Sequence, residues 1–354
     1  MINHLALIVA ITSSWLLIIY MAPIATRLGL VDLPSKRKHH SKPVPLIGGL
    51  CIAVSFFLSV MLLEFSLGEF RILFFSIIVI TIVGLLDDYK ELPPYAKFLS
   101  QIFIGIIIVL ASNIEITNIG DIFNNGTPQG LGGLGPIFLI ISVVGVINAF
   151  NMIDGHDGLA GLLSIQSLAF LIVVAALERN YASLNILLLL SVGICVFLIF
   201  NLTLFVNEKR KVFLGDTGSM FIGLIIVYFL ILLVEETDNS LSAPLAPWLI
   251  AVPLMDMFSV IIERIILRKW VFSADRNHLH HVLLDKGLSK SQVLVVVVGL
   301  QGILLAWAFI SYFADLADWI VFWSMFPIFF GYVYAKHSLR RSNLAVSHQE
   351  DGLP

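Results

Sequence analysis

Six acidic or amide residues stand where apolar runs end. Asp87 and Asp88 lie in "GLLDDYKELPPYAKF", Asn151, Asp154 and Asp157 in "NAFNMIDGHDGLAG", and Asp216 in "KVFLGDTGS". Adjacent carboxylates beside a low-dielectric phase repel one another unless a cation or a proton intervenes, and Lys90 and Lys97 follow the first pair closely. Asp154 and Asp157 are three residues apart, so on a helix they share a face with Asn151 one turn earlier. Gly155 and Gly158 permit close backbone approach. Acids at a membrane boundary are costly without a cation or a polar ligand, which points to function. Asp216 is followed by Thr217, Gly218 and Ser219 at a helix start, where free N–H groups and the positive dipole end suit phosphate. Simple N-capping by Asp216 or Ser219 explains the same residues and is compatible with binding.

Hard carboxylate and amide oxygens suit Mg²⁺ or Mn²⁺, which keeps waters and is completed by substrate phosphates. If the six groups meet, the chemistry they equip is phosphoryl transfer, where positioning and charge neutralisation carry most of the catalysis.

Two further stretches carry polar groups in number. "RKWVFSADRNHLHHVLLDKG" holds Arg276, His278, His280 and His281. Histidines so spaced can bind zinc as neutral imidazoles, but no cysteine is near, and the adjacent arginine favours contact with an anion or a sugar. "GLVDLPSKRKHHSKPVPLIGG" carries Lys36 and Arg37 in a loop shaped by prolines and glycines. Its cations can equally be an anchor against anionic headgroups or substrate contacts. Asp256, in "PLMDM", lies within an apolar run just after Pro253, which can kink the helix. A structural hydrogen-bonding role and a functional one are equal readings for it. Glu263 and Arg264 read as a simple boundary pair.

The elements that must position these groups are membrane spans. The chain has 354 residues, 58% of them hydrophobic, a mean hydropathy of +0.97 and 13% charged residues. A soluble domain carries roughly twice that charge fraction, and apolar runs repeatedly approach the ~20 residues that cross hydrocarbon. An all-α polytopic integral membrane protein is expected, with about eleven transmembrane helices near 4–25, 46–64, 71–86, 96–113, 136–152, 158–177, 183–203, 217–235, 245–267, 293–313 and 318–336. The connections alternate between two sides. Of the 21 Lys and Arg, only Arg71 and Arg179 fall on one of them. The positive side is cytoplasmic by the inside rule, so the N-terminus is expected outside (periplasmic) and the C-terminus inside. Every acid above except Asp256 then lies at the cytoplasmic face.

The first run lacks the basic leader of a cleaved signal peptide and reads as a retained helix. Cys51 and Cys195 lie inside apolar runs and suggest no disulfide. One domain is expected over 1–354, with 338–354 a flexible polar tail. The net charge of −3 says nothing by itself, and no nucleic-acid partner is expected. A secondary transporter using Asp256 or Asp154 as an ion site is the rival class. It is disfavoured because the polar groups gather at one face rather than mid-membrane, and no internal repeat is visible.

The series "GLVDLPSKRKHH", "PLIGG", "GLLDD", "NAFNMIDGHDGLAG", "KVFLGDTGS", "PLMDM" and "ADRNHLHHVLLDKG", spread in order over residues 28–287, resembles the polyprenyl-phosphate N-acetylhexosamine-1-phosphate transferases. The likeness is strongest to the bacterial branch that begins enterobacterial common antigen and O-antigen chains. It implies transfer of GlcNAc-1-phosphate from UDP-GlcNAc to undecaprenyl phosphate, a membrane lipid, releasing UMP with Mg²⁺ or Mn²⁺ at a bacterial inner membrane. The family pattern implies metal at Asp216 aided by Asn151, and Asp87 and Asp88 near the lipid phosphate with Asp87 the suggested base. Asp154 and Asp157 shape the metal and nucleotide site. Arg276, His278, His280 and His281, with Lys97, Lys36 and Arg37, contact substrate. A homodimer is a family expectation only. His156 departs from the pattern, which usually has an aliphatic residue between the two Asp-Gly pairs; both acids remain. Another UDP-N-acetylhexosamine, or a MurNAc-pentapeptide donor, is the nearer alternative.

Overall fold

The structure is a computed structural model that describes residues 2–34, 42–64, 66–112, 114–203, 205, 210–236, 241–271 and 277–350. Lys36, Arg37 and Arg276 lie outside the described residues. The chain is a bundle of helices: α1 (His4–Leu28), α2 (Gly48–Val60), α3 (Arg71–Lys90), α4 (Pro94–Ala111), α5 (Gly135–Ile153), α6 (Leu159–Leu177), α7 (Tyr181–Asn201), α8 (Gly215–Glu236), α9 (Ala251–Ile266), α10 (Leu279–Asp285), α11 (Lys290–Phe313) and α12 (Asp318–Glu350). Among the described residues, ten helical segments are long and apolar enough to cross a membrane; α2 is apolar but shorter. This is a multi-pass membrane protein.

α8 is the axis. Met220 to Leu233 are buried without a break, and Gly223 among them is backed closely by α5. A helix apolar all round belongs in the middle of such a bundle. α3 and α5 flank α8, with α2 and α6 beside them. Two glycines set the approach. A Cβ on Gly49 of α2 would stand 2.1 Å from the Gly218 nitrogen, and one on Gly84 of α3 would stand 2.4 Å from Thr217 Cα. Backbones touch at the first turn of α8, as small residues allow in membrane helices.

Four differences from the sequence reading matter. α3 runs past the expected end near residue 86, through Asp87 and Asp88 to Lys90, so both acids belong to its last turn. Residues 243–250 form a 3₁₀ segment before α9, where one continuous helix was expected. Pro253 explains the break: it has no N–H for the Leu249 carbonyl, which instead accepts from Ser167 Oγ at 2.7 Å and Gln301 Nε2 at 3.0 Å. Gln301 Oε1 also accepts from Val252 N at 2.8 Å, so this buried amide replaces the lost helical bonds. The third difference is α10, a seven-residue helix inside the histidine-bearing connection. Last, α12 continues as helix to Glu350, into the stretch read as a loose tail; Leu344, Ala345, Gln349 and Glu350 are good helix formers.

The turn-rich excursion 114–135 folds back at the end of the bundle away from the acids. Asn118 bridges Gly130, Asp121 N donates to Asp318 Oδ2 of α12 at 2.8 Å, and Trp323 Nε1 donates to the Ile122 carbonyl at 2.9 Å.

Candidate active site

Hydrogen bonds join the connections at the other end of the bundle. The first, through strands β1 (Val31–Asp32) and β2 (Val44–Pro45), meets the segment before α8. Leu46 pairs in parallel with Phe213, and Gly48 N and Gly49 N donate to the Phe213 and Leu214 carbonyls at 2.9 Å each. Asp88, at the end of α3, caps α8: its Oδ1 accepts from Asp216 N at 2.7 Å and its Oδ2 from Thr217 N at 3.1 Å and Thr217 Oγ1 at 2.6 Å. The N-cap sought in Asp216 or Ser219 is thus supplied by another helix. Gly215 makes room for it with φ 72°, where a Cβ would stand 2.5 Å from Asp88 Oδ2.

With its backbone so held, the Asp216 side chain turns to Lys97. Lys97 Nζ lies 2.7 Å from Asp216 Oδ2 and 2.8 Å from Asp87 Oδ2, bridging the two carboxylates. Asp87 Oδ1 accepts from Leu92 N at 2.7 Å, which fixes the turn between α3 and α4. Asn151, near the end of α5, donates to Ser219 Oγ at 3.0 Å and reaches Asp216. Asp154 caps the C-terminus of α5, facing the negative charges of Asp216, Asp88 and Asp157. Burial, and then those carboxylates, push its carboxyl well above the usual range.

Asp154 and Asp157 do not share a helical face. α5 ends at Ile153 and α6 begins after Gly158, whose φ of 74° turns the chain between them. Asp157 consequently points to Lys211, with Oδ2 to Nζ at 2.5 Å and Lys290 at 3.7 Å. Lys211 is buried and also sits over the Phe213 ring. Asn201 ties Gly158 N to the Val212 carbonyl and so holds this turn against the segment leading into α8.

The histidine connection dips into the bundle instead of lying on it. His278 and His280 are buried, and His280 packs on Gly155, where a Cβ would stand 2.5 Å from its Nε2. Burial, then the neighbouring His281, hold His280 well below the ordinary histidine range. Both of its ring nitrogens lack a hydrogen-bond partner among the described residues, as does Nε2 of His156. Buried polar atoms of that kind mark places where a ligand or water completes the bonding.

A cavity of about 1100 Å³ opens beside these groups. Lys97, Asn148, Asn151, Gly155, His278, His280 and His281 line one end of it; Phe98, Ile102, Phe138, Ile141, Leu230 and Phe258 continue the wall, and Ile116, Ile119, Pro244 and Phe322 lie towards the far end. Its lining is overwhelmingly apolar apart from the end next to Lys97. Gln101 and Asn148, which the sequence reading passed over, bond each other in that wall. Their signal was present in retrospect: each lies one turn deeper than Lys97 or Asn151 on the same helix face.

The oxygens of Asp216, Asp87 and Asp154 with the Asn151 amide suit a hard divalent ion. Among the described residues no three His, Cys, Asp or Glu side chains converge closely enough to hold one unaided. An ion held by these groups would need its shell completed by water and substrate phosphates, as Mg²⁺ commonly has.

Carboxylates, a bridging lysine and an apolar cavity at one end of a membrane bundle define a membrane enzyme of the phosphoryl-transfer class. Comparison with known proteins agrees. The family described as glycosyl transferase family 4 matches residues 70–234. The undecaprenyl-phosphate alpha-N-acetylglucosaminyl 1-phosphate transferase of Pasteurella multocida is 34% identical over 94% of this chain and 92% of its own length. The protein of the same name from Haemophilus influenzae is 33% identical over 94% and 93%, and that of Escherichia coli K12 27% over 89% and 84%. The chain belongs to the polyprenyl-phosphate N-acetylhexosamine-1-phosphate transferase family and is a glycosyl-1-phosphate transferase.

Proposed function

We propose that the protein transfers GlcNAc-1-phosphate from UDP-GlcNAc to undecaprenyl phosphate, yielding undecaprenyl-diphospho-GlcNAc and UMP. The observation that carries this is the cavity. It joins Lys97 and the acid cluster at its polar end to an apolar wall between helices, which suits a phosphate at one end and an isoprenoid chain along the other. The donor assignment follows the names of the relatives. The lysine and arginine distribution supports an acid-bearing face in the cytosol, where a soluble nucleotide sugar is available, and a bacterial inner membrane belongs to the same reading. Feeding of O-antigen or common-antigen synthesis belongs to the same reading.

Mg²⁺ or Mn²⁺ held by Asp216 and Asn151 would polarise the donor diphosphate and offset its charge. The protein's own groups do the rest. Lys97 sets positive charge between Asp87 and Asp216, where two phosphates must approach. Asp88 holds Asp216 at the mouth of α8 through its backbone. Asp87 takes the proton where the acceptor phosphate still carries one. Lys211 pairs with Asp157 and offsets its charge beside the acid cluster. The neutral imidazole of His280 offers hydrogen bonding to the sugar.

A donor panel tests the reading. Purified protein with undecaprenyl phosphate is expected to release UMP from UDP-GlcNAc with a kcat/KM at least about 10-fold above UDP-GalNAc and UDP-MurNAc-pentapeptide. Preference for either of the others sinks the assignment of GlcNAc while leaving the family intact.

A further inference from the structure

Asp256 is 1% exposed, on α9, one helix removed from the acid cluster. It accepts four hydrogen bonds: His278 Nδ1 to Oδ2 at 2.7 Å, and Leu279 N at 2.9 Å, Tyr332 OH at 2.8 Å and Lys336 Nζ at 2.8 Å to Oδ1. Lys336 donates also to Ser259 Oγ at 2.7 Å. Tyr332 and Lys336 are four residues apart on α12, so both face α9 together. One turn further, Arg340 pairs with Glu263, and Arg264 donates to the Val271 carbonyl at 2.6 Å.

A buried carboxylate needs a partner, and Lys336, itself buried, supplies the charge. The imidazole is then free of that duty. Its Nδ1 faces a carboxylate oxygen and must carry a proton there, whatever the state of the ring. Nε2 is left as the nitrogen that the ring can offer to the cavity, which His278 lines. This is how an orienting carboxylate fixes an imidazole at metal sites and in hydrolase triads. The bond to Leu279 N fixes the start of α10 as well. His278 and His280 stack with centroids 5.8 Å apart and planes at 13°, so the orientation passes to the next ring.

We infer that Asp256, with Lys336 and Tyr332 of the last helix, positions the histidine loop for the sugar-nucleotide donor. They are positioning residues, acting through His278. The inference rests on the reading of that loop as a donor contact. It gives α12, which lies beyond the span of the family motifs, a part in donor recognition.

The test is steady-state UMP release by the purified full chain, varying UDP-GlcNAc at saturating undecaprenyl phosphate and the reverse, with a melting curve for each variant. Lys336→Met is expected to raise the donor KM about 10-fold, as loss of an orienting partner does, and Tyr332→Phe by less. The KM for undecaprenyl phosphate stays unchanged and kcat stays within about twofold. Combined with His278→Ala, which raises the donor KM on its own, either change adds less than about twofold, because both act through the same ring. Mere packing between α9 and α12 predicts lower melting temperatures with an unaltered donor KM, or effects that multiply in full; either result overturns the inference. Should Lys336→Met not fold, Tyr332→Phe carries the same cycle. If His278→Ala itself leaves the donor KM unchanged, the loop is not a donor contact and the site reading fails with the inference. If His278→Ala raises it while the α12 variants do not, the positioning role alone falls.

Discussion

Asp216→Asn should lower turnover at least about 100-fold, the scale on which preorganised charge contributes to such sites, in a protein that folds and inserts as before. The fold survives because α8 is held at this end by bonds that do not use the Asp216 side chain. Asp88 accepts from the backbone of residue 216 and from Thr217, and Gly49 and Gly84 seat α2 and α3 against the same turn. What changes is the oxygen that Lys97 meets and the negative charge offered to a divalent ion beside Asn151. UMP release and a melting curve on one purified sample separate the two effects. Near wild-type turnover in a well-folded sample would remove Asp216 from the reaction.

Lys97→Met is the second large effect expected, again about 100-fold in kcat/KM. Methionine keeps a flexible, unbranched chain of similar reach and removes the ammonium that bridges Asp87 and Asp216. The carboxylates then repel one another, and two phosphates must close on the site with one positive charge fewer. Because Lys97 also lines the cavity next to the acids, the KM for undecaprenyl phosphate should rise along with the fall in kcat. A variant changed only in the donor KM would show that Lys97 belongs to the nucleotide end instead.

Much of this site can be read from the chain, and the reasons for the remainder are physical. Apolar runs of spanning length located the helices, and the one-sided lysine and arginine count placed the acids together. Asp87, Asn151 and Asp216, from three helices, are brought to one spot as that reasoning required. The family motifs made the reaction class legible too. Other features were beyond it. Asp154 and Asp157 do not share a helical face because α5 ends at Ile153, before either of them, a helix end that spacing alone does not reveal. Asp88 looks like its neighbour Asp87 in sequence, yet the helix end turns it to cap α8 while Asp87 faces Lys97. Asp256 stood equally between structural and functional readings because its partner Lys336 is 80 residues away. Periodicity describes one element at a time and cannot see such a pairing.

The most direct measurement follows the phosphorus. Purified protein receives undecaprenyl phosphate and UDP-GlcNAc labelled in the phosphate bonded to the sugar, with Mg²⁺ or with EDTA. With Mg²⁺ the label should enter the lipid in step with unlabelled UMP, one for one, and in EDTA both should cease. Label retained in released UDP, or transfer at the same rate in EDTA, would contradict a sugar-phosphate transfer built on acids gathered around a divalent ion.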